Sequence, residues 1–283
     1  MRKILASLFI ILIVALAACG GSDNNNENNE NGNNNNGNNE NAAEEQTLKV
    51  AAVESPMTDV VEIAKDLLAD EGIEVEVVEM GDYIQPNEAL KNEEVDATFS
   101  QHVPFMEQFN ENADGNLAAV EPIYFANFGL YAREYDSVDE LPEDVTIGIA
   151  NDPSNIDRSL RLLESHGLIE LNEIDGDEYG LEDIVEDSHN YSFEQAEIAA
   201  LSRLYDDVDS VIINPTHASH LDLTPADDAL ITEKEDNLFA ITLVAREDNV
   251  DSELIQKLAE AMTSEEVREF LDGREGGAAV PAF

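Results

Sequence analysis

Val145-Thr146-Ile147-Gly148-Ile149-Ala150, followed at once by Asn151-Asp152-Pro153-Ser154-Asn155-Ile156-Asp157-Arg158 and then Ser159-Leu160-Arg161-Leu162-Leu163, is the stretch from which the fold is read. Its first six residues are apolar and rich in β-branched side chains, which predicts a buried strand. After the loop, Leu160 and Leu163 recur at helical spacing as far as Gly167, which suits a C-cap. Strand, loop turned by Pro153 and helix make one α/β unit. A helix N-terminus presents unpaired N–H groups and a positive dipole end, so it can seat a carboxylate. Arg158 can add a bidentate charged pair, and the Asn155 side chain can read an α-amino group or a carboxylate. The same residues also fit a solvated turn followed by a surface arginine.

Similar units lie on both sides. Thr47 to Val53 reads as the first strand. Ser55 and Pro56 can cap and start a helix with Val60, Val61, Ala64, Leu67 and Leu68 on one face, ended by Gly72. Ile73, Val75 and Val77 alternate with Glu74 and Glu76, as in a strand with one wet face. A helix including Asn87 to Lys91 and a strand over Val95 to Phe99 follow. Downstream, Ser192 with Gln195 makes a capping box that predicts a helix bearing Ala196, Ala199 and Leu204. Val211 to Ile213 predicts a strand ending in Asn214-Pro215-Thr216, and Phe239 to Val244 another. Helices over Ser252 to Met262 and Thr263 to Leu271 close the chain, the last with a Thr263–Glu266 capping box and a stop at Gly273.

This alternation predicts an α/β fold with largely parallel sheets. Because the pattern forms two sets, with the chain returning to the first, the expected domains are two lobes around a cleft. The first lobe comprises 47–125 with 240–283, and the second 126–239. Ligands of open α/β sheets sit beyond the carboxyl ends of strands. Gln101–His102, Asn151–Arg158 and Asn214–Thr216 all follow strands in that way.

The 283 residues include 63 acidic and 14 basic side chains, a formal charge of −49. That balance excludes nucleic acid and an anionic membrane surface as partners of the folded part. With 43% apolar residues a normal core is affordable, so the carboxylates belong outside. Salt screens their mutual repulsion, and the composition reads as a halophilic acidic surface. A cation-binding surface is the alternative.

At the N-terminus, Arg2 and Lys3 precede the apolar run Ile4 to Ala18, which ends Leu16-Ala17-Ala18-Cys19-Gly20. Residues 1–18 have the layout of a secretory signal peptide rather than a permanent transmembrane helix. The Leu-Ala-Ala-Cys ending resembles the bacterial lipoprotein box. That resemblance implies cleavage before Cys19 and lipidation of its thiol, with acyl chains such as palmitate holding the protein to the membrane. Cys19 is the only cysteine, which leaves no disulfide framework and no thiol catalysis in the folded part. Residues 19–46 are dominated by Asn with Gly and Glu, and read as a flexible leash. The expected location is the extracytoplasmic face of the cell membrane.

Three stretches carry a family resemblance: Asp82-Tyr83-Ile84-Gln85-Pro86-Asn87-Glu88-Ala89-Leu90, Gln101-His102-Val103-Pro104-Phe105, and Asn151 to Asn155 through Arg158-Ser159-Leu160. Ile213-Asn214-Pro215-Thr216-His217-Ala218, Leu223-Thr224-Pro225 and Arg246-Glu247-Asp248 add to it. Together they resemble the methionine-binding lipoproteins of bacterial ABC importers. The resemblance implies a two-lobed, type II-like periplasmic-binding-protein fold that closes on a free amino acid and delivers it to a membrane permease. It places Tyr83 and His102 on the wall holding the ligand side chain, with Phe105 where the family has a tyrosine. Asn155, Arg158 and Asn214 fall where the family grips the α-carboxylate and α-amino groups. Ser100 stands where the family has an aromatic residue, although Phe99 is adjacent. Ile241 replaces an asparagine. These departures leave a different small amino acid or a short peptide open as the ligand.

Other classes have less support. His217 and His220 are three apart, with further histidines at 102, 166 and 189, but no His-rich acidic loop of a metal importer is present. No metal or cofactor site is therefore expected. No nucleophile elbow, phosphate-binding glycine loop or metal-ligand helix motif points to an enzyme.

Overall fold

The structure, a computed structural model, describes residues 46–142, 144–174, 178–187 and 190–283. The expected signal segment, Cys19 and the leash as far as residue 45 lie outside these residues. Gln46, read as the end of the leash, is the first residue of a strand.

In chain order the first elements are β1 (Gln46–Ala52), α1 (Met57–Ala69), β2 (Ile73–Glu79), α2 (Gln85–Lys91), β3 (Ala97–Gln101), α3 (Val103–Ala113) and β4 (Leu117–Phe125). The chain then crosses to β5 (Gly129–Ala132), β6 (Thr146–Ala150), α4 (Pro153–Ser165) and a ribbon of β7 (Ile169–Leu171) with β8 (Ile184–Asp187). β9 (Ser192–Ala196), α5 (Leu201–Leu204), β10 (Ser210–Ile213), α6 (Pro215–Ser219), α7 (Pro225–Asp228) and β11 (Ile231–Thr232) follow. It returns through β12 (Ala240–Arg246), α8 (Glu253–Met262), α9 (Glu265–Asp272) and β13 (Val280–Pro281). Among the described residues, no helix is long and apolar enough to cross a membrane.

Two sheets organise these elements. One has the order β13-β4-β12-β3-β1-β2, the other β11-β5-β10-β6-β9. The pairings β1–β2, β1–β3, β10–β6 and β6–β9 are parallel, as helical crossovers require. The remaining pairings in both sheets are antiparallel, so the sheets are mixed rather than largely parallel. The antiparallel parts lie where the chain passes between lobes. β4 and β12 run side by side in one sheet, β5 and β11 in the other, and the crossings 126–128 and 233–239 join them. Glu233 N–H donates to the Phe128 carbonyl at 2.9 Å, tying the two crossings together.

Each sheet is covered on both faces, which explains the continuous apolar runs of its central strands. Leu48, Val50 and Ala52 of β1 enter one core cluster with α1, while Ala51 enters another with α2 and α3. Ile147 and Ile149 of β6 pack with Leu160 and Leu163 of α4, while Ala150 packs with Leu201 on the opposite face. Fully burying each such Leu or Ile contributes about 1.5–3 kcal/mol, so α4 is held against β6 by its apolar stripe. Gly167, at φ +72°, takes the left-handed position that turns the chain after α4.

Three local expectations are corrected. Ser192 to Ala196 is not the start of a helix: it pairs in parallel with Thr146–Ala150 as the edge strand β9. An unpaired backbone edge on β6 outweighs a local capping signal, and helix remains only at Ile198–Ala200 and α5. Ser55 does not cap α1; its hydroxyl donates to the Asp59 carboxylate at 2.6 Å. The cap of α9 is Ser264, accepting from Val267 N–H, while Thr263 donates back to the Ala259 carbonyl and closes α8.

Candidate functional site

Three strand-to-helix junctions are built alike. α3, α4 and α6 each begin directly after β3, β6 and β10, and each has a proline in its first two positions. Proline suits the first turn because its missing N–H would have no helical partner. The caps are His102, Asp152 and Asn214, each accepting from the N–H three residues on: Phe105 at 3.2 Å, Asn155 at 3.0 Å and His217 at 2.8 Å. The seat for a carboxylate expected at the start of α4 is thus taken by the Asp152 carboxylate itself. The Asp152 carboxylate also accepts from Ser154 Oγ and from Asn155 Nδ2, which lies 3.1 and 3.0 Å from its two oxygens.

Tyr83, His102, Phe105, Asn155, Arg158 and Asn214 are brought together around one cavity between the lobes. Its apolar lining includes Phe105, Phe128, Ala126, Ile198 and Ile241; Arg158, Asn155, Asn214 and His102 supply polar groups. Ser100 and Ile241 face it directly. Phe99 does not: it is buried in the core, edge-on to Tyr124 at 5.9 Å. The adjacent aromatic therefore does not stand in for the missing one. The Ser100 hydroxyl is instead 3.1 Å from Thr98 Oγ1, two residues away on the same strand face.

His102 joins the lobes. Because Nδ1 accepts from Phe105 N–H, the ring proton sits on Nε2, which donates to Asn155 Oδ1 at 3.1 Å. Phe105 and Phe239 meet the ring edge-on at 6.2 and 5.5 Å. Burial, assisted by the Arg158 cation and opposed by the Asn155 hydrogen bond, pushes the imidazole down to about 3. The ring is neutral at physiological pH.

Arg158 is the largest fully buried side chain among the described residues. Its Nε and Nη2 donate to the two oxygens of Glu233 at 2.8 and 2.7 Å, and Nη2 also donates to the Ala126 carbonyl at 2.8 Å. The guanidinium lies 3.9 Å from the Phe128 ring centre and 5.0 Å from that of Phe239. The bidentate partner of Arg158 is thus a residue of the second crossing. Nη1 makes no hydrogen bond among the described residues, nor does Asn214 Nδ2, so each retains donors for a further acceptor.

Tyr83 supplies a second bridge. Its hydroxyl is 3.2 Å from Glu54 Oε1 and 3.4 Å from His217 Nε2 of the other lobe. Burial, then the Glu54 charge, raises the phenol well above its ordinary value, so the hydroxyl keeps its proton. Glu233, Phe128, Phe239 and Glu54 were not found from sequence. No local signal marks them as site residues: the acids are two of 63, Phe128 sits in a crossing without periodicity, and Phe239, read as the start of a strand, lies in the turn before β12.

Two α/β lobes joined by two crossings, with three helix starts converging on one cavity, define a bilobal small-molecule-binding protein. The sequence profile of the NlpA lipoprotein family matches residues 48–283, and the chain belongs to that family. It is 34% identical over 239 residues to the D-methionine-binding lipoprotein MetQ of Escherichia coli K12, covering 83% of this chain and 88% of that one. The crystal structure of lipoprotein Tp32 from Treponema pallidum superposes with a TM-score of 0.81 at 33% identity, covering 84% of this chain and all of that one. A nutrient binding protein from Burkholderia cenocepacia bound to methionine gives 0.79 at 30% identity, covering 83% and 100%. The family resemblance carried by the three sequence stretches and the two-lobed fold it implied are both borne out.

Proposed function

We propose that this chain is an extracytoplasmic substrate-binding lipoprotein that captures a free amino acid, methionine before others, and delivers it to the permease of an ABC importer. The observation that carries the reading is the convergence of Tyr83, His102, Phe105, Asn155, Arg158 and Asn214, from both lobes, on one cavity. Arg158 Nη1 and Asn214 Nδ2 offer N–H donors to an α-carboxylate, and Asn155 Oδ1 offers an acceptor to an α-amino group. Since Glu233 offsets the charge of Arg158, the polar end suits a zwitterion better than an anion. The apolar walls suit an unbranched hydrophobic side chain. The methionine named in the relatives' descriptions supports the same ligand. The two lobes correspond to 47–125 with 240–283 and to 126–239, and Cys19 is the lipid anchor behind a leash. No catalytic role is assigned to any cavity residue.

Calorimetry on protein stripped of prior ligand by unfolding and refolding, with an amino-acid panel including both enantiomers of methionine, tests this. Saturable one-to-one binding of methionine is expected. If no amino acid binds, the reading fails; a stronger response to another amino acid transfers the specificity to Ser100, Phe105 and Ile241. Cys19→Ala is expected to leave the protein unprocessed or released, and retention of a correctly cleaved mutant would refute the anchor.

A further inference from the structure

Beside the cavity, Glu54, His217 and His220 place three ligating atoms within 4.8 Å of one another. Glu54 follows β1 in one lobe; His217 lies in α6 of the other, and His220 caps that helix's C-terminal end. Glu54 Oε2 is 3.1 Å from His220 Nε2, and Oε1 is 3.8 Å from His217 Nδ1. Donors around a tetrahedral ion with zinc-like bond lengths stand about 3.3 Å apart. The two contacts to Glu54, made by its two oxygens, lie near that spacing, and the three ligand atoms, all within 4.8 Å of one another, draw together by side-chain rotation.

His217 provides the second observation. Its side chain is 2% exposed, yet Nδ1 has no hydrogen-bond partner. The other ring nitrogen is 3.4 Å from Tyr83 Oη, which is 3.2 Å from Glu54 Oε1. With the proton on Nε2, the imidazole donates to Tyr83 and Tyr83 donates to Glu54. Nδ1 then carries a bare lone pair beside the carboxylate. A ring whose far N–H is held by an oxygen is the usual arrangement of a metal-ligating histidine.

We propose that Glu54, His217 Nδ1 and His220 Nε2 bind a divalent transition ion of the zinc class that joins the two lobes. Two imidazoles and one carboxylate favour such an ion over calcium or magnesium, which take oxygen ligands. His220, half-exposed, leaves an approach from solvent and a fourth position for water. Tyr83 orients the buried ligand from behind. Because the donors come from both lobes, the site is whole only when the lobes are together, and binding at the cavity and at the ion are then reciprocally coupled.

Equilibrium dialysis of the full chain against zinc chloride, both as purified with any ligand it retains and after stripping, with excess calcium to occupy surface carboxylates, is the test. One calcium-resistant zinc site is expected. His220→Ala, an exposed change that spares the core, and Glu54→Gln, on the opposite lobe, should each weaken it at least tenfold, and zinc should raise the Tm of the parent but of neither variant. No calcium-resistant zinc in the parent, or unchanged zinc affinity in His220→Ala, overturns the site. Loss in His220→Ala with full retention in Glu54→Gln overturns the bridge between lobes. All three outcomes are independent of which amino acid the cavity takes.

Discussion

Arg158 and Glu233 lie at one end of the interlobe region, and Glu54, His217 and His220 at another, yet the two clusters are held on different terms. The arginine cluster is neutralised within its own lobe and the crossings, leaving only Nη1 for a ligand: Glu233 takes two bonds, the Ala126 carbonyl takes a third, and two phenylalanines cover the cation. The histidine cluster is divided between lobes and keeps a buried nitrogen without a partner. The difference separates a preformed anchor from a contact that exists only when the lobes meet. In the first, the cost of burying charge is met within one lobe, before any ligand arrives; in the second it is met only on closure.

The largest test of that contrast is Arg158→Ala. It leaves Glu233, 11% exposed, without its cation, and breaking a buried pair in this way costs about 3–5 kcal/mol. Urea denaturation should show that loss, and calorimetry should show amino-acid binding weakened beyond a hundredfold. Arg161→Ala is the comparison one turn along: that side chain is 41% exposed and outside the cavity, but its partner Asp157 is 4% exposed and keeps only the Tyr179 N–H among the described residues, so stability should fall while amino-acid binding is spared. Equal loss of binding by the two would erase the distinction between the cavity arginine and its neighbour.

Arg158→Lys ranks next. An ammonium retains the charge but cannot make two parallel bonds to Glu233 while also reaching the Ala126 carbonyl. A loss of about 1.5–3 kcal/mol in the same denaturation experiment is expected, with part of the binding recovered. Full recovery would mean that charge alone matters there.

His102 sharpens the comparison through pH. Its folded value of about 3 lies below the ordinary histidine range, so between about pH 6.5 and 3 the unfolded chain binds a proton that the folded one does not. Stability from this group is therefore full above pH 6.5 and falls as the pH drops, by at most about 1.4 kcal/mol per pH unit. His102→Gln should flatten the denaturation midpoint between pH 6.5 and 5, above most carboxylate titrations. An unchanged slope would show that the ring charges in the folded state.

Tyr83→Phe is the smallest expected effect. It removes a hydroxyl shared between Glu54 and His217, worth about 0.5–1.5 kcal/mol, and keeps the ring against His217. If its thermal midpoint falls as far as that of Arg158→Ala, the histidine cluster is no weaker an anchor than the arginine one.

The sequence was most legible where one local cause acts alone. Val145 to Leu163 gave strand, turn and helix because β-branched residues, Pro153 and the leucine stripe all agree. At Gln101–His102 and Asn214–Thr216 only the strand ends were legible, not the helices α3 and α6 that follow, and the site residues there were carried by the family resemblance. Ser192 to Ala196 misled because four residues suffice for a capping box, whereas a strand edge that needs a neighbour lies more than forty positions upstream. Of the antiparallel strands joining the lobes, β12 was legible and β4, β5 and β11 were not, and the direction of all of them was missed because strand direction is a property of pairs.

What local pattern in the sequence determined by itself is therefore the α/β alternation, its two sets and the Asn151–Arg158 loop, whereas the family resemblance, not spacing, singled out Tyr83, His102, Phe105 and Asn214. The alternation and the loop depend on periodicity, capping and proline, which act within about ten residues. Only the tertiary structure decided what those groups do to one another. It paired Arg158 with Glu233, filled the start of α4 with Asp152, set the His102 proton on Nε2 and brought Glu54 to two histidines across the cleft. Each of these rests on distances of 2.7 to 3.8 Å between residues remote in the chain or on a side chain's choice among near neighbours. Packing fixes such choices, and no local pattern records them.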